Sequence, residues 1–321
     1  MFIQRNRIVL LAFTSLLAVT ACMTNDAAPS GGGGGGGKAD GAGPAELDVT
    51  PAQRDTLVVK AATCPFMRSA VKAGTVRIRG SFEQPLGDTS DVIHLGNAGG
   101  GDLGKVLKFF ADINHNRLNG PGGFTTEAVP ENTFAIWFPG SRGAHPGHSG
   151  ILMGDPGDVA SGAFTPDRLA RLTSEYSTLY SDGKRYISRD QIGAFIADNV
   201  AADPASRGFN LDGIKSLSSQ VEELASRVVA NDPNVLQDVL HLLVTSNDLV
   251  NSCGEFSLLF TRFADGSDQD GNPLISTTAV ESLFRDGVFP AGWDQHPATA
   301  HEWMGNTLAI LKSAIYASFG F

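Results

Sequence analysis

Cysteine is scarce in this chain: there are three in 321 residues, at Cys22, Cys64 and Cys253. A basic patch is missing as well, and the formal net charge is −10. Because phosphate binding needs a basic face, this composition excludes nucleic acid as a partner. The chain also lacks the Rossmann glycine fingerprint, the Walker loop and the nucleophile elbow of serine hydrolases. The cysteines therefore become the first candidates for chemistry.

The first 22 residues have the composition of an export signal. Two arginines within Met1–Arg7 precede an apolar run, Ile8–Val19, which Thr20-Ala21-Cys22 follows. This run is too short for a permanent membrane span, and small residues before a cysteine resemble a bacterial lipobox. We predict a lipoprotein signal peptide over residues 1–21 and a lipid on Cys22. An ordinary secretory peptide, with Cys22 incidental, is the alternative.

A glycine-rich segment follows the signal. Residues 22–47 include seven consecutive glycines, Gly31–Gly37, and cannot bury apolar surface. We expect a flexible tether that holds one domain, residues 48–321, off a membrane of the bacterial cell envelope (the outer membrane), unless the protein is exported freely. An exported domain also meets oxidising conditions, under which disulfides persist.

The apolar pattern predicts a mainly α fold with an irregular, loop-rich N-terminal third. Glycine and proline are frequent from about Asp48 to Gly162, where the apolar pieces are short. Apolar residues recur at three-to-four spacing in the C-terminal half. Ser188 with Gln191 forms a capping-box pattern, and Pro166 stands at a first helical turn. The predicted helices are Ser188–Val200, Leu211–Ala230, Asn234–Val250, Glu255–Phe263, Thr277–Phe284 and Thr299–Phe319.

Cys64 directly precedes Pro65, with apolar residues continuing at helical spacing. A proline at the first helical position leaves Cys64 at the helix cap, where the exposed N–H groups stabilise an anion. Thiolates in such positions have lowered pKa values and act as iron ligands or nucleophiles. The alternative is a buried cysteine or a disulfide between Cys64 and Cys253.

Glu255 begins the apolar run Phe256–Phe260. A carboxylate in apolar surroundings is desolvated, so its pKa rises toward the range that suits general acid–base catalysis. The alternative is a charge at a helix start that complements the helix dipole.

Neither Asp112–Gly123 nor Gly266–Thr277 completes a calcium loop, and His145-Pro146-Gly147-His148 lacks a third zinc ligand.

Taken in order, these segments resemble the heme-thiolate haloperoxidases and unspecific peroxygenases, the chloroperoxidase-like family. The resemblance rests on Thr63-Cys64-Pro65-Phe66-Met67 and on the Glu255-led helix. It rests further on the loop Asp265–Asn272, the segment Ala279–Phe284 and the signature Phe289-Pro290-Ala291-Gly292-Trp293. The match implies a single chloroperoxidase-like helical domain that binds heme b.

The resemblance also implies roles for individual residues. Cys64 would be the axial iron ligand beside Pro65, and Glu255 the distal acid–base residue. An electron-rich thiolate pushes charge into the O–O bond of bound hydrogen peroxide, while the carboxylate moves a proton between its two oxygens. The partners would be peroxide and a small organic molecule or halide. The implied activity is that of a peroxidase or peroxygenase.

One departure concerns the family's magnesium site, where a glutamate helps to hold the ion beside a heme propionate. The best local match, Met153-Gly154-Asp155-Pro156, keeps Asp155 as a cofactor-binding residue but has Met153 in place of that glutamate. Methionine is a poor magnesium ligand, so the magnesium site is in doubt. A non-catalytic relative that binds an apolar ligand or a surface partner is therefore an alternative. An unrelated helical domain with a Cys64–Cys253 disulfide is another.

Lipidation of Cys22 predicts that Cys22→Ser releases the protein from the membrane fraction, because the substitution removes the acceptor thiol. Metabolic labelling with a fatty-acid analogue should tag the wild type and leave the variant untagged. Freely soluble, untagged wild-type protein would contradict the prediction.

Overall fold

Helices dominate the part of the chain that the computed structural model describes, residues 44–61, 65–114, 117–120, 123–136, 166–202, 211–245 and 248–319. The fold is therefore mainly α, as the apolar spacing predicts. The loop-rich N-terminal third contains more helix than its glycine and proline content indicates. The helices are α1 Pro51–Ala61, α2 Pro65–Ala73, α3 Thr89–Gly96, α4 Gly104–Asn114, α5 Pro166–Ser174, α6 Arg189–Ala202, α7 Leu211–Val229, α8 Val235–Thr245, α9 Asp248–Phe263, α10 Thr277–Glu281 and α11 Ala300–Ser318.

The strands are short and pair antiparallel. They are β1 Ile78–Gly80, β2 Pro85–Asp88, β3 Arg117–Gly120, β4 Gly123–Ala128, β5 Thr133–Ala135, β6 Thr178–Leu179, β7 Arg185–Ile187, β8 Gly266–Ser267 and β9 Pro273–Ser276. Their orders are β1-β2-β5, β3-β4 and β6-β7-β9-β8. The last sheet brings the start of α6 next to the end of the α9–α10 connection, because β7 pairs with β9 in the register Ile187↔Ile275.

Local signals fix several helix starts. The Ser188 N–H donates to Gln191 Oε1 at 2.8 Å, and the Gln191 N–H donates to Ser188 Oγ at 3.2 Å, which confirms the predicted capping box. Thr299 and Glu302 form the same reciprocal arrangement before α11. Pro65 is the first residue of α2, as predicted for a proline that needs no N–H partner there.

The core is built around α9 and α11. Helix α11 packs against α6, α7 and α9. Trp303 of α11, Phe195 of α6, and Phe256 and Phe260 of α9 are fully buried between these helices. Gly193 lets α6 approach α11 closely, because a Cβ there would lie 2.7 Å from the Ala314 backbone nitrogen. Among the described helices, none is both long and apolar enough for a membrane crossing.

Two predicted helix boundaries are wrong. The predicted helix Asn234–Val250 is divided, since α8 ends at Thr245 and α9 begins at Asp248. Glu255 therefore lies two turns inside α9 rather than at its start. Helix α9 runs through Gly254, where the Leu243 side chain occupies the space that a Cβ would need, 2.7 Å away.

The contact at Gly193 gives a stability prediction with a matched control. Alanine is a better helix former than glycine by about 0.8–1 kcal/mol, but a Cβ at position 193 would collide with α11. We expect Gly193→Ala to lower the free energy of unfolding by about 1–3 kcal/mol. Nothing lies within 4 Å of the corresponding Cβ at Gly305, so Gly305→Ala should raise it by about 0.5–1 kcal/mol.

Urea unfolding followed by circular dichroism measures both changes. A rise in the free energy of unfolding of both variants would show that the α6–α11 contact is not tight at Gly193.

Candidate functional site

Helix α2, which directly follows Cys64, packs against the C-terminal part of the chain. The Phe66 ring centroid lies 6.2 Å from that of Phe263, the last residue of α9. The same ring meets Phe289 edge-on at 5.4 Å. Phe263 and Phe289 are themselves stacked at 6.0 Å. These three rings therefore join the start of α2, the end of α9 and the segment after α10 in one aromatic cluster.

Two cations on α2 bind the turn that follows α10. Arg68 Nη1 donates to the Phe284 carbonyl oxygen at 3.3 Å, and Lys72 Nζ donates to the Asp286 carbonyl oxygen at 2.7 Å. Both acceptors belong to the π-helical turn Ser282–Asp286. Carbonyl groups at the end of a helix carry partial negative charge, so cations are favourable there. These bonds hold α2 in place along its length.

The segment Phe289–Trp293 turns sharply to bring two aromatic rings together. The Trp293 N–H donates to the Pro290 carbonyl oxygen at 3.2 Å, and Gly292 has a φ of +76°. A positive φ at this position of a turn favours glycine. The turn places the Trp293 ring over Phe289, with centroids 4.3 Å apart. Trp293 thereby extends the aromatic cluster.

Arg262, one residue before the end of α9, is only 6% exposed. Its Nη1 donates to the His296 carbonyl oxygen at 2.9 Å, and its guanidinium carbon lies 4.9 Å from the Trp293 ring centroid. Burial lowers the pKa of Arg262, although Asp294 opposes that effect. An arginine remains protonated in proteins, so α9 ends on a buried positive charge. Arg262 was not predicted as a site residue, because its only sequence signal is its place within an apolar run.

Glu255 is half-buried on α9, between buried residues on either side. The helix-start explanation for its charge is wrong, because the dipole effect falls off within the first turn and Glu255 is the eighth residue. Partial burial in an apolar helix is the surrounding that the acid–base prediction requires. The acid–base role of Glu255 stays a prediction.

Next to Glu255, buried hydrogen bonds join α9 to α11. Trp303 Nε1 donates to the Gly254 carbonyl oxygen at 3.0 Å. Ser257 Oγ lies 2.6 Å from Thr307 Oγ1, and both side chains are buried. These bonds fix the register of the two helices and hence the position of the Glu255 backbone. Sequence patterning did not predict them.

Cys253 is a free cysteine without solvent exposure. The alternative that pairs it with Cys64 in a disulfide is therefore wrong. Burial raises the pKa of the Cys253 thiol, so it remains neutral at ordinary pH. A buried, protonated thiol is a packing residue rather than a nucleophile.

Several predicted site residues lie outside the described residues: Cys22, Cys64, Met153 and Asp155, together with the pair His145 and His148. Pro65, by contrast, is the first residue of α2. The structure therefore brings together the neighbours of Cys64 with the end of the Glu255 helix.

The acidic loop Asp265–Asn272 is held by its own side chains. Asp268 Oδ1 accepts the N–H groups of Asp270 and Asn272, and Asp265 accepts both polar hydrogens of Ser276. These carboxylates stabilise the β8–β9 turn and the start of α10. No group of three or more histidine, cysteine, aspartate or glutamate side chains in the described ranges could hold a metal ion.

Comparison with protein-family models, with curated proteins and with solved structures found no match to this chain. The resemblance to the heme-thiolate family thus depends on the short motifs quoted above.

The buried thiol of Cys253 gives a reactivity prediction. The thiolate is the reactive form, and a raised pKa keeps it scarce at every pH below that pKa. We expect the wild type and Cys253→Ala to show the same number of rapidly titrating thiols at pH 8 in native buffer. In concentrated urea the wild type should show one thiol more than the variant. An extra reactive thiol in the native wild type would contradict the burial of Cys253.

Proposed function

We propose that the protein is an exported heme-thiolate peroxidase or peroxygenase that uses peroxide to oxidise or oxygenate small organic molecules or halide. The observation that carries this proposal is the aromatic cluster of Phe66, Phe263 and Phe289. These rings come from three of the segments on which the resemblance to the family rests, and Phe66 is distant in the chain from the other two. Their contact is expected if Cys64 and the Glu255 helix serve one site.

The residues around the cluster suit a heme. Cys64 directly precedes a helix that begins at Pro65, a position that stabilises a thiolate. The buried Arg262 would supply a positive charge to the carboxylates of a bound heme. When bound, a heme would supply the redox chemistry with peroxide at its iron. Cys64 would hold the iron. Asp155 would contribute to cofactor binding, a role that only the family resemblance implies. Magnesium is not part of the proposal, because Met153 occupies the position of its glutamate.

The chain's own contribution to the reaction would be proton transfer and exclusion of water. Glu255 would take a proton from one peroxide oxygen and return it to the other, which requires a carboxylate held rigidly beside an apolar surface. Helix α9 meets both requirements, since its residues on either side of Glu255 are buried and its register on α11 is fixed. The apolar cluster would keep water from competing with organic substrates.

The proposed location follows from the N-terminal signal. A lipid on Cys22 and a glycine-rich tether would hold the catalytic domain at the surface of a membrane in the bacterial envelope. Peroxide and small molecules reach such a domain directly.

The visible spectrum tests the heme proposal. Purified full-length protein, grown or reconstituted with heme, should show a Soret band, and its ferrous–CO complex should have the strongly red-shifted band of thiolate ligation. Cys64→Ala should lose the red shift, whereas Cys253→Ala should keep it because Cys253 is buried and neutral. Absence of heme from the wild type would leave the non-catalytic relative as the better explanation. A red-shifted band retained in Cys64→Ala would exclude that ligand.

Glu255→Gln separates catalysis from structure. Glutamine has nearly the same shape as glutamate but lacks the carboxyl group that transfers the proton. We therefore expect normal heme loading and a reaction with peroxide slowed by about 10²–10⁴-fold. Glu222→Gln, on the exposed face of α7, is the matched control and should react at the wild-type rate. Stopped-flow mixing with peroxide measures both rates. A wild-type rate in Glu255→Gln would remove Glu255 from the mechanism.

A further inference from the structure

The guanidinium of Arg262 has one unused edge. Its Nη1 is bound to the His296 carbonyl oxygen. Neither its Nε nor its Nη2 has a hydrogen-bond partner among the described residues, although both atoms are buried. Buried polar groups are nearly always hydrogen-bonded, and a buried charge needs a partner more than a neutral group does. The two atoms therefore lack partners that the oxygens of a bound ligand could supply.

The identity of the unused atoms specifies the ligand's head group. Nε and Nη2 lie on the same edge of the planar guanidinium, the edge that binds a carboxylate side-on. Arg77 and Arg79 are examples of arginines that bind a carboxylate through the same edge. Arg77 Nε and Nη2 lie 3.1 and 2.9 Å from Asp91 Oδ1. Arg79 Nε and Nη2 lie 3.0 and 2.7 Å from Asp88 Oδ2.

The surroundings of Arg262 specify the ligand's body. The guanidinium carbon lies over the Trp293 ring at 4.9 Å, and Trp293 is stacked on Phe289. Both rings are half-buried, so the aromatic cluster that contacts Arg262 extends to the surface. A molecule whose carboxylate meets Arg262 would place its remaining atoms against aromatic faces. Flat, apolar molecules fit such faces best.

Asp294 is the competing carboxylate within the chain. It is exposed and raises the pKa of Arg262 through space, but no hydrogen bond joins the two side chains in the described structure. An exposed aspartate loses hydration if it folds inward, so it is a weaker partner than a ligand that also buries apolar surface.

We propose that the Nε–Nη2 edge of Arg262 and the ring of Trp293 form a binding site for the carboxylate of a flat, apolar molecule. The carboxylate has two chemical sources, a porphyrin propionate or a free aromatic acid. The site requires neither Cys64 nor iron, so it stands independently of the proposed peroxidase activity.

Calorimetric titration of the full-length protein tests the site with paired probes. Metal-free protoporphyrin IX is compared with its dimethyl ester, and 2-naphthoate with methyl 2-naphthoate. Each acid should bind about 10- to 100-fold more tightly than its ester, the range typical of hydrogen bonds between charged groups. Tighter binding of the porphyrin acid alone identifies a propionate site, and tighter binding of both acids identifies a general aromatic-acid site.

Substitutions assign the effect to Arg262. Arg262→Met should remove the preference for acid over ester and leave ester binding unchanged. Arg262→Lys keeps the charge without the planar edge and should retain only part of the preference. The control Arg285→Met alters an exposed arginine that pairs with Asp286 and should bind as the wild type does. Asp294→Asn should bind the acids at least as tightly as the wild type.

Circular dichroism and melting temperature show whether each variant is folded, and the Lys variant keeps the test usable if Arg262→Met is not. Equal binding of acid and ester to the wild type would overturn the proposal. So would an undiminished preference in the folded Met variant, or failure of both acids to bind. Loss of acid binding in Asp294→Asn would show that binding of the acids depends on the Asp294 carboxylate, and this result would also overturn the proposal.

Discussion

The enclosure of α9 is the constraint on which the rest of the structure depends. Helix α9 is surrounded by protein along most of its length, so its polar groups must find partners inside the fold. The Gly254 carbonyl oxygen receives Trp303 Nε1, and Ser257 pairs with Thr307. These bonds set the register of α9 on α11. The same register decides where Arg262, at the far end of α9, faces the cluster of aromatic rings.

Helix starts were predictable where residues close together in the sequence determine them. The capping box of Ser188 and Gln191 and the helix start at Pro65 need only residues a few positions apart, and both are present. The mainly α class follows for the same reason, from apolar spacing. The continuation of α9 through Gly254 was not predictable, because glycine is a poor helix former and the close packing of Leu243 on that glycine is a tertiary contact.

The candidate site depends on contacts between distant residues, which explains why sequence patterns gave only part of it. Phe66 meets Phe263 and Phe289, and no periodicity relates these positions. Arg262 shows the limit most clearly. An arginine on a helix usually extends its charged end to water, so its pattern indicates an exposed face. Only the fold shows that this one is buried against Trp293 and that one of its edges lacks a partner.

The surroundings of Cys64 and Arg262 place different demands on a ligand. Under the proposed function a thiolate at Cys64 would bind iron. The proposed site at Arg262 would instead take a carboxylate on any flat body that packs on Trp293. A heme would satisfy both, since it carries iron and propionates in one molecule, and an aromatic acid would satisfy only the second. With a formal net charge of −10, the protein as a whole repels anions. Burial of an apolar body would add to the attraction of Arg262 for an anion, so the proposed site would favour aromatic acids over small, strongly hydrated anions.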